Sequence, residues 1–198
     1  MTWAPGAPQI VTGQLIAEGG WTPHEGARVV NTYRPPAVWT GDSRAALTWR
    51  DHLRMLYPEP GEADHIECWF AQRVQRPAEK INHALVMGGG QGIGKDTLCE
   101  PVKAAVGPWN WAEISPSIMC GAFTQWRQSV VVRVNEIHDL GDTSRFSFYE
   151  ATKSLAASPP DTLPVNVKHQ KEYMIPNVLG LLMTTNHMLD GIYLPSDD

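Results

Sequence analysis

Four glycines stand among the six residues before Lys95, in Gly89-Gly90-Gln91-Gly92-Ile93-Gly94-Lys95. This is the spacing G-x-x-x-x-G-K of a phosphate loop. Glycines let the backbone curl so that successive N–H groups point at phosphate oxygens, and a following helix adds its positive N-terminal end. The loop demands a buried strand before it and a helix after it. Both are legible: His83 to Met87 reads as a short buried strand, and Asp96 to Val106 reads as a helix ended by Gly107-Pro108. Pro101 lies beyond the first turn of that helix and predicts a kink.

Lys95 is placed to reach the β- and γ-phosphates of ATP, and Gly89, Gly90, Gln91, Gly92, Ile93, Gly94, Asp96 and Thr97 complete the candidate nucleotide site. The position after the lysine usually carries a Ser or Thr whose hydroxyl binds Mg²⁺. Here it is Asp96, so either its carboxylate or the hydroxyl of Thr97 would hold the metal.

Further along, Ser129 to Val134 is a β-branched run and predicts a strand. It ends in Asn135-Glu136, which places Glu136 as a candidate metal ligand and as the base that polarises an attacking water. Val178 to Thr184 predicts another buried strand, tipped by Thr185-Asn186. Asn186 could sit beside the γ-phosphate and orient the water. Between these strands, Leu163 to Ile175 predicts a hairpin with Lys168, His169 and Lys171 near its turn. These three are candidate contacts to single-stranded DNA, by phosphate pairing and base stacking.

Strands that alternate with helices predict an α/β fold, a parallel sheet flanked by helices. The remaining segments fit around it. Ala46, Trp49, Leu53 and Leu56 form an apolar helical stripe, with Asp42 or Ser43 as cap and Pro58 as stop. Ile66, Trp69, Phe70 and Val74 form a second, closed by Pro77. Ser117 to Arg127 and Arg145 to Ala157 also predict helices. Met1 to Val38 is rich in Gly, Pro and Trp, lacks a sustained period, and predicts an irregular wrapping segment. The expected organisation is an N-terminal irregular and helical region over residues 1–80, then a phosphate-loop core over residues 81–198.

Composition limits the partners. The 198 residues are 42% hydrophobic and 19% charged, which reads as globular. Net charge is −5, so a DNA contact must come from a local basic feature. No apolar run is long enough to span a bilayer, so no membrane partner is expected. Cys68, Cys99 and Cys120 form neither a zinc pattern nor a disulfide framework, which fits a reducing, cytoplasmic setting.

With these elements in order, the chain resembles the superfamily-three helicases of small viruses, poxviruses, phages and plasmids, and most of all the helicase domain of phage primase-polymerases. The stretches that carry the likeness are VNTYRPP (30–36), VQRPAEKIN (74–82), GGGQGIGKDTLCEPV (88–102), VNEIHDL (134–140), LPVNVKHQKEYMIPN (163–177) and TTNH (184–187). The GKDT variant is similar to one in the phage branch, whereas Asn135 departs from a more usual acidic residue. The resemblance implies an AAA+-like core, a homo-hexameric ring, ATP hydrolysis between subunits with Mg²⁺, and movement along single-stranded DNA in a bacterial host or a virus-infected cell. It assigns Lys95 and Thr97 to phosphate binding, Glu136 to catalysis, Asn186 to γ-phosphate sensing and Lys168 to DNA. It also implies a fused or associated primase upstream and arginines beyond Asp198 that serve a neighbouring subunit, so that this chain is expected to be a fragment and a poor ATPase alone. Two rivals stand beside this reading: a small-molecule kinase with a phosphate loop, and a non-catalytic nucleotide- or DNA-binding fragment.

Overall fold

A computed structural model describes residues 1–37, 41–137 and 144–186. Its centre is a parallel sheet of four strands: β3 (Leu85–Gly88), β4 (Trp111–Ile114), β5 (Val131–Val134) and β8 (Gly180–Thr185). Their spatial order is β3-β8-β5-β4. The chain returns to the middle of the sheet last, and β8 separates β3 from β5. Both central strands are buried at every position, as their aliphatic runs require. The fold is the expected α/β arrangement, a parallel sheet flanked by helices.

The helices are α1 (Ala46–Leu56), α2 (Pro60–Gln75), α3 (Lys95–Val106), α4 (Pro116–Met119) and α5 (Arg145–Ala156). Asp42 accepts from the Arg44 N–H and caps a short 3-10 turn that leads into α1. Helices α1, α2 and α3 pack on one another, and α5 packs on β8. Leu53, Ile66, Trp69 and Phe70 enter the same apolar core as Leu98, Val131 and Leu182. Apart from Ala46, which is exposed, the two predicted stripes therefore face inward, against the helix that follows the glycine loop.

One buried cation shapes this packing. Arg73 of α2 is fully buried and donates to the Val178 carbonyl at 2.7 Å and to the Glu79 carbonyl. Its terminal nitrogens meet backbone oxygens rather than a carboxylate, and its Nε has no hydrogen-bond partner among the described residues. Gly180 must lack a side chain there, because a Cβ would lie 2.5 Å from Arg73 Cδ and 3.0 Å from the Trp69 ring.

Three expectations need correction. The N-terminal segment is not irregular: β1 (Ile10–Ala17) and β2 (Gly20–Val30) form an antiparallel hairpin. Its register shifts between Thr12 and Gln14, and of its cross-strand pairs only Val11 and Val29 bury both members. That bulge and the scarcity of buried positions break the alternation that marks a strand. The segment from Ser117 to Arg127 is not one helix. Ser115 caps the single turn of α4, which ends at Cys120-Gly121, and a separate 3-10 turn covers Gln125–Arg127. Trp111–Ile114, with no strand expected, pairs in parallel with β5 as the edge of the sheet.

The remaining strands, β6 (Thr162–Val165) and β7 (Tyr173–Pro176), form the predicted second hairpin. Its base is anchored on both sides. Thr2 Oγ1 donates to the Met174 carbonyl at 3.2 Å, and Arg127 Nη1 donates to the Pro164 carbonyl at 2.8 Å. Among the described residues no helix is long and apolar enough to cross a membrane.

Candidate nucleotide cleft and hairpin edge

The carboxyl ends of β3, β8 and β5 lie side by side because the strands are parallel and in register, with Gly88 opposite Thr185 and Val134 opposite Met183. Each end carries one predicted element. The glycine loop follows β3, Asn186 follows β8, and Asn135-Glu136 follows β5. This edge is where open parallel sheets bind ligands. A cleft of about 640 Å³ opens there, lined by Gln91, Gly92, Gly94, Lys95, Asp96, Asn135, Glu136 and Asn186 among others.

Lys95 opens α3 and is only 7% exposed. Its Nζ donates to the carbonyls of Gly89 at 2.6 Å and Gly90 at 2.9 Å, and to Asn186 Oδ1 at 3.1 Å. Burial lowers its pKa, Asp96 opposes that shift, and Arg133 adds to it. Glu136 is exposed at the cleft wall with a positive φ of 53°, an uncommon conformation for a non-glycine residue. Asn135 Oδ1 accepts from Thr184 Oγ1 at 3.3 Å, which ties the tips of β5 and β8.

Asp96 lines the cleft, and its carboxylate pairs with Arg133 of β5. Thr97 is exposed and stands apart from the residues that line the cleft. The far end of the cleft follows one face of α3 past Glu100 and Lys103 to Glu113. There burial alone would raise the Glu113 carboxyl, but Lys103 Nζ at 2.9 Å and Trp111 Nε1 at 3.0 Å bring it below its ordinary value.

The glycine loop is braced from α1. His52 Nε2 lies 3.2 Å from the Gly94 carbonyl, and Trp49 Nε1 donates to the Leu98 carbonyl at 2.9 Å. Just beyond the helix, the Tyr57 hydroxyl donates to the Gly88 carbonyl at 3.2 Å, and burial pushes that phenol up to about 12. Sequence reasoning placed Trp49 only on a core-facing stripe and passed over His52 and Tyr57. No local signal marks them. Arg133 did carry one, a charge inside the aliphatic run Val131–Val134.

The predicted DNA contacts lie elsewhere, at the tip of the β6–β7 hairpin. Lys168, His169 and Lys171 are all exposed and none lines the cleft. Gln170 N–H donates to the Val167 carbonyl at 3.0 Å, and His169 takes a φ of 65°, so the tip is a tight turn. A residue missed in the sequence joins this edge. Asn166 Nδ2 donates to the Ala122 carbonyl at 3.0 Å, and Thr124 N–H donates to the Asn166 carbonyl at 3.0 Å. Phe123, held between those two contacts, is 52% exposed. His138, Asp139 and Leu140 of the VNEIHDL stretch, and His187 of TTNH, lie outside the described residues.

Residues 86–198 match a family described as a family of unknown function, DUF5906. The chain belongs to this family. Its fold is similar to the apo structure of the NrS-1 C terminal region, with a TM-score of 0.73 and 17% identity. That match covers 100% of this chain and 45% of the other. The A form apo structure of the same region gives 0.71 and 17%, covering 100% and 44%. The chain thus spans less than half the length of these relatives, and at such identity the likeness concerns the fold. No curated protein matches the sequence.

Proposed function

We propose that this member of the family is the ATP-hydrolysing core of a replicative DNA helicase of the superfamily-three type, working with Mg²⁺ as a homo-hexamer on single-stranded DNA. The observation that carries the reading is the position of Asn186. Its strand runs between the glycine-loop strand and the Glu136 strand, and its amide touches Lys95. A polar group that reaches the phosphate-binding lysine from the neighbouring strand is suited to sense the γ-phosphate and align water.

The chain's residues fit the metal this reaction uses. Asp96 and Glu136 offer hard oxygen donors at the cleft, whereas Thr97, on the first turn of α3, does not line it. Among the described residues no three His, Cys, Asp or Glu side chains converge as a ready cation cage. Mg²⁺ usually takes one or two protein carboxylates and completes its shell with phosphates and water. When bound, the metal would neutralise charge on the phosphates. Lys95 binds phosphate oxygens, the loop N–H groups and the α3 N-terminus orient them, and Glu136 accepts a proton from water.

At the other edge, Lys168, Lys171, His169 and Phe123 combine cations with stacking surfaces, as single-strand binding requires. Six copies in a ring would give a positive collar despite the net charge of −5. The test is ATP turnover with and without single-stranded DNA. Stimulation by DNA supports the motor. Turnover that depends on a small acceptor would instead make this a kinase, and ATP binding with no turnover would make it a non-catalytic module.

A further inference from the structure

Asp96 puts a negative charge one residue past the lysine that meets the phosphates. A neutral hydroxyl is the usual occupant, and an uncompensated carboxylate repels a triphosphate. This chain carries a second departure beside the first. Arg133 stands in the aliphatic run Val131–Val134, a central strand of the sheet, with its side chain 10% exposed. Its Nη2 donates to Asp96 Oδ1. Among the described residues its other side-chain hydrogen bond is a long one, 3.5 Å to Thr184 Oγ1, and its Nε has no partner. Asp96 is the only carboxylate paired with it among the described residues.

The Asp96 side chain is 79% exposed, and its Oδ2 accepts no hydrogen bond among the described residues. One oxygen is therefore fixed from beneath by the guanidinium, while the other is open to the cleft. Lys95 lies alongside on the same turn of α3, and Glu136 lines the same cleft.

We propose that Arg133 is a positioning residue for Asp96: it cancels the carboxylate's charge towards the triphosphate and fixes one oxygen so that the other meets the phosphate-bound Mg²⁺. The pair replaces a neutral hydroxyl with a neutral couple that contains a stronger ligand. This rests on the nucleotide-binding reading above. Either partner alone is harmful: Asp96 without Arg133 repels phosphate, and Arg133 without Asp96 is a buried charge that has lost its counter-ion.

Titration of ADP and ATP, each in Mg²⁺ and in EDTA, tests the pair. The proteins are the unaltered chain, Asp96→Asn, Arg133→Met and the double variant Asp96→Ser/Arg133→Met, each checked for fold by circular dichroism. Asp96→Asn alters an exposed group and leaves an amide oxygen that can still accept from Arg133, so the guanidinium keeps a hydrogen-bond partner though not its counter-ion. It is expected to keep affinity in EDTA and lose most of the gain from Mg²⁺. Arg133→Met is expected to lose about tenfold or more in EDTA, and the double variant to recover most of that loss. Asp96→Asn with the full Mg²⁺ gain overturns the proposal, even if Arg133→Met does not fold. So does a double variant no better than Arg133→Met. An unaltered chain that binds neither nucleotide overturns the nucleotide reading itself, whereas binding with independent effects removes only the pair.

Discussion

Lys95 and Asn186 lie 91 residues apart in sequence and meet at 3.1 Å, Nζ to Oδ1. The ammonium has three protons, and its three acceptors here are Asn186 and the carbonyls of Gly89 and Gly90. In the proposed reading, phosphate would exchange for these partners. The lysine is thus already held within the loop it serves, so little side-chain freedom remains to be lost on binding.

Lys95→Ala is therefore expected to weaken nucleotide binding strongly and leave the fold intact. A charge-assisted contact contributes about 1.5–3 kcal/mol, roughly 10- to 150-fold in affinity. Of the two freed carbonyls, that of Gly90 is on an exposed residue and that of Gly89 on a buried one. Calorimetric titration and thermal melting check both halves. Unchanged nucleotide affinity would show that the loop is an ordinary glycine turn.

Glu136→Gln should separate binding from hydrolysis. Glutamine keeps the size of the side chain but cannot take a proton from water, and loss of a general base lowers rates by about 10²–10⁴. The variant has the same backbone demand at φ 53° as the original residue. ATP should bind with near-normal affinity and remain intact in the assembled protein. Turnover at the unaltered rate would exclude Glu136 as the base.

Gly94 tests the brace from α1. Its φ is 106°, and a Cβ would lie 2.7 Å from two atoms of the His52 ring. Gly94→Ala combines backbone strain with a clash, and the strain alone costs about 1–3 kcal/mol. The melting temperature should fall by several degrees, and nucleotide affinity with it. Adding His52→Ala should relieve the clash and leave the strain, so recovery should be partial. Full recovery would mean that the left-handed backbone is not needed.

What could be read from the sequence was what depends on neighbours in the chain. The glycine loop, the aliphatic runs before Asn135 and Asn186, and the turn at Lys168 each sit within a few residues of their own signal. The pair Asp96–Arg133 spans 37 residues, and neither partner reveals the other. The contact of His52 with Gly94 is set by how α1 lies across the loop, so a helical stripe cannot predict it. Trp111–Ile114 is too short, and too poor in β-branched residues, to show as a strand before its pairing with β5 is known. The β1–β2 hairpin hides for another reason. Most of its side chains face water, so the two-residue alternation that burial would impose is missing.

Lys80 makes stability depend on pH. Its Nζ donates to the Leu155 carbonyl and, at 3.0 Å, to Asn177 Oδ1. Burial and, after it, the nearby Arg73 lower its pKa to about 8. The unfolded chain holds that proton up to about 10.4. Between these values the unfolded state binds more protons, so this group makes the protein more stable as pH rises from about 8 towards 10. Below 8 the contribution is flat. The neutral amine still has two N–H groups for its two acceptors. Urea midpoints at pH 7.5 and 9.5 should rise in the unaltered protein relative to Lys80→Met, which loses this dependence. Parallel curves for the two proteins would show that Lys80 titrates normally.

The proposed DNA edge can be divided into two kinds of contact. Lys168 and Lys171 flank a tight turn whose His169 is held at positive φ, so their charges project from a fixed tip. Phe123 is fixed beside it through Asn166 and is half exposed, a large apolar ring presented to water. Cations act on phosphates and aromatic faces act on bases, and salt distinguishes the two. Each phosphate contact on a single strand contributes about 0.7 to the slope of log affinity against log salt. Lys168→Ala/Lys171→Ala should weaken binding to single-stranded DNA and flatten that slope by about 1.4 if both lysines touch phosphate. Phe123→Ala should lose about 1–3 kcal/mol, the scale of one stacked base, with the slope unchanged. Nucleotide affinity should be the same in all variants, because none of these residues lines the cleft. Fluorescence anisotropy with a labelled oligothymidine at three salt concentrations, on the assembled protein, separates the outcomes. Normal binding by the double lysine variant would make the hairpin a solvated turn, and a flattened slope in Phe123→Ala would mean that the ring acts by holding the turn rather than by stacking on a base.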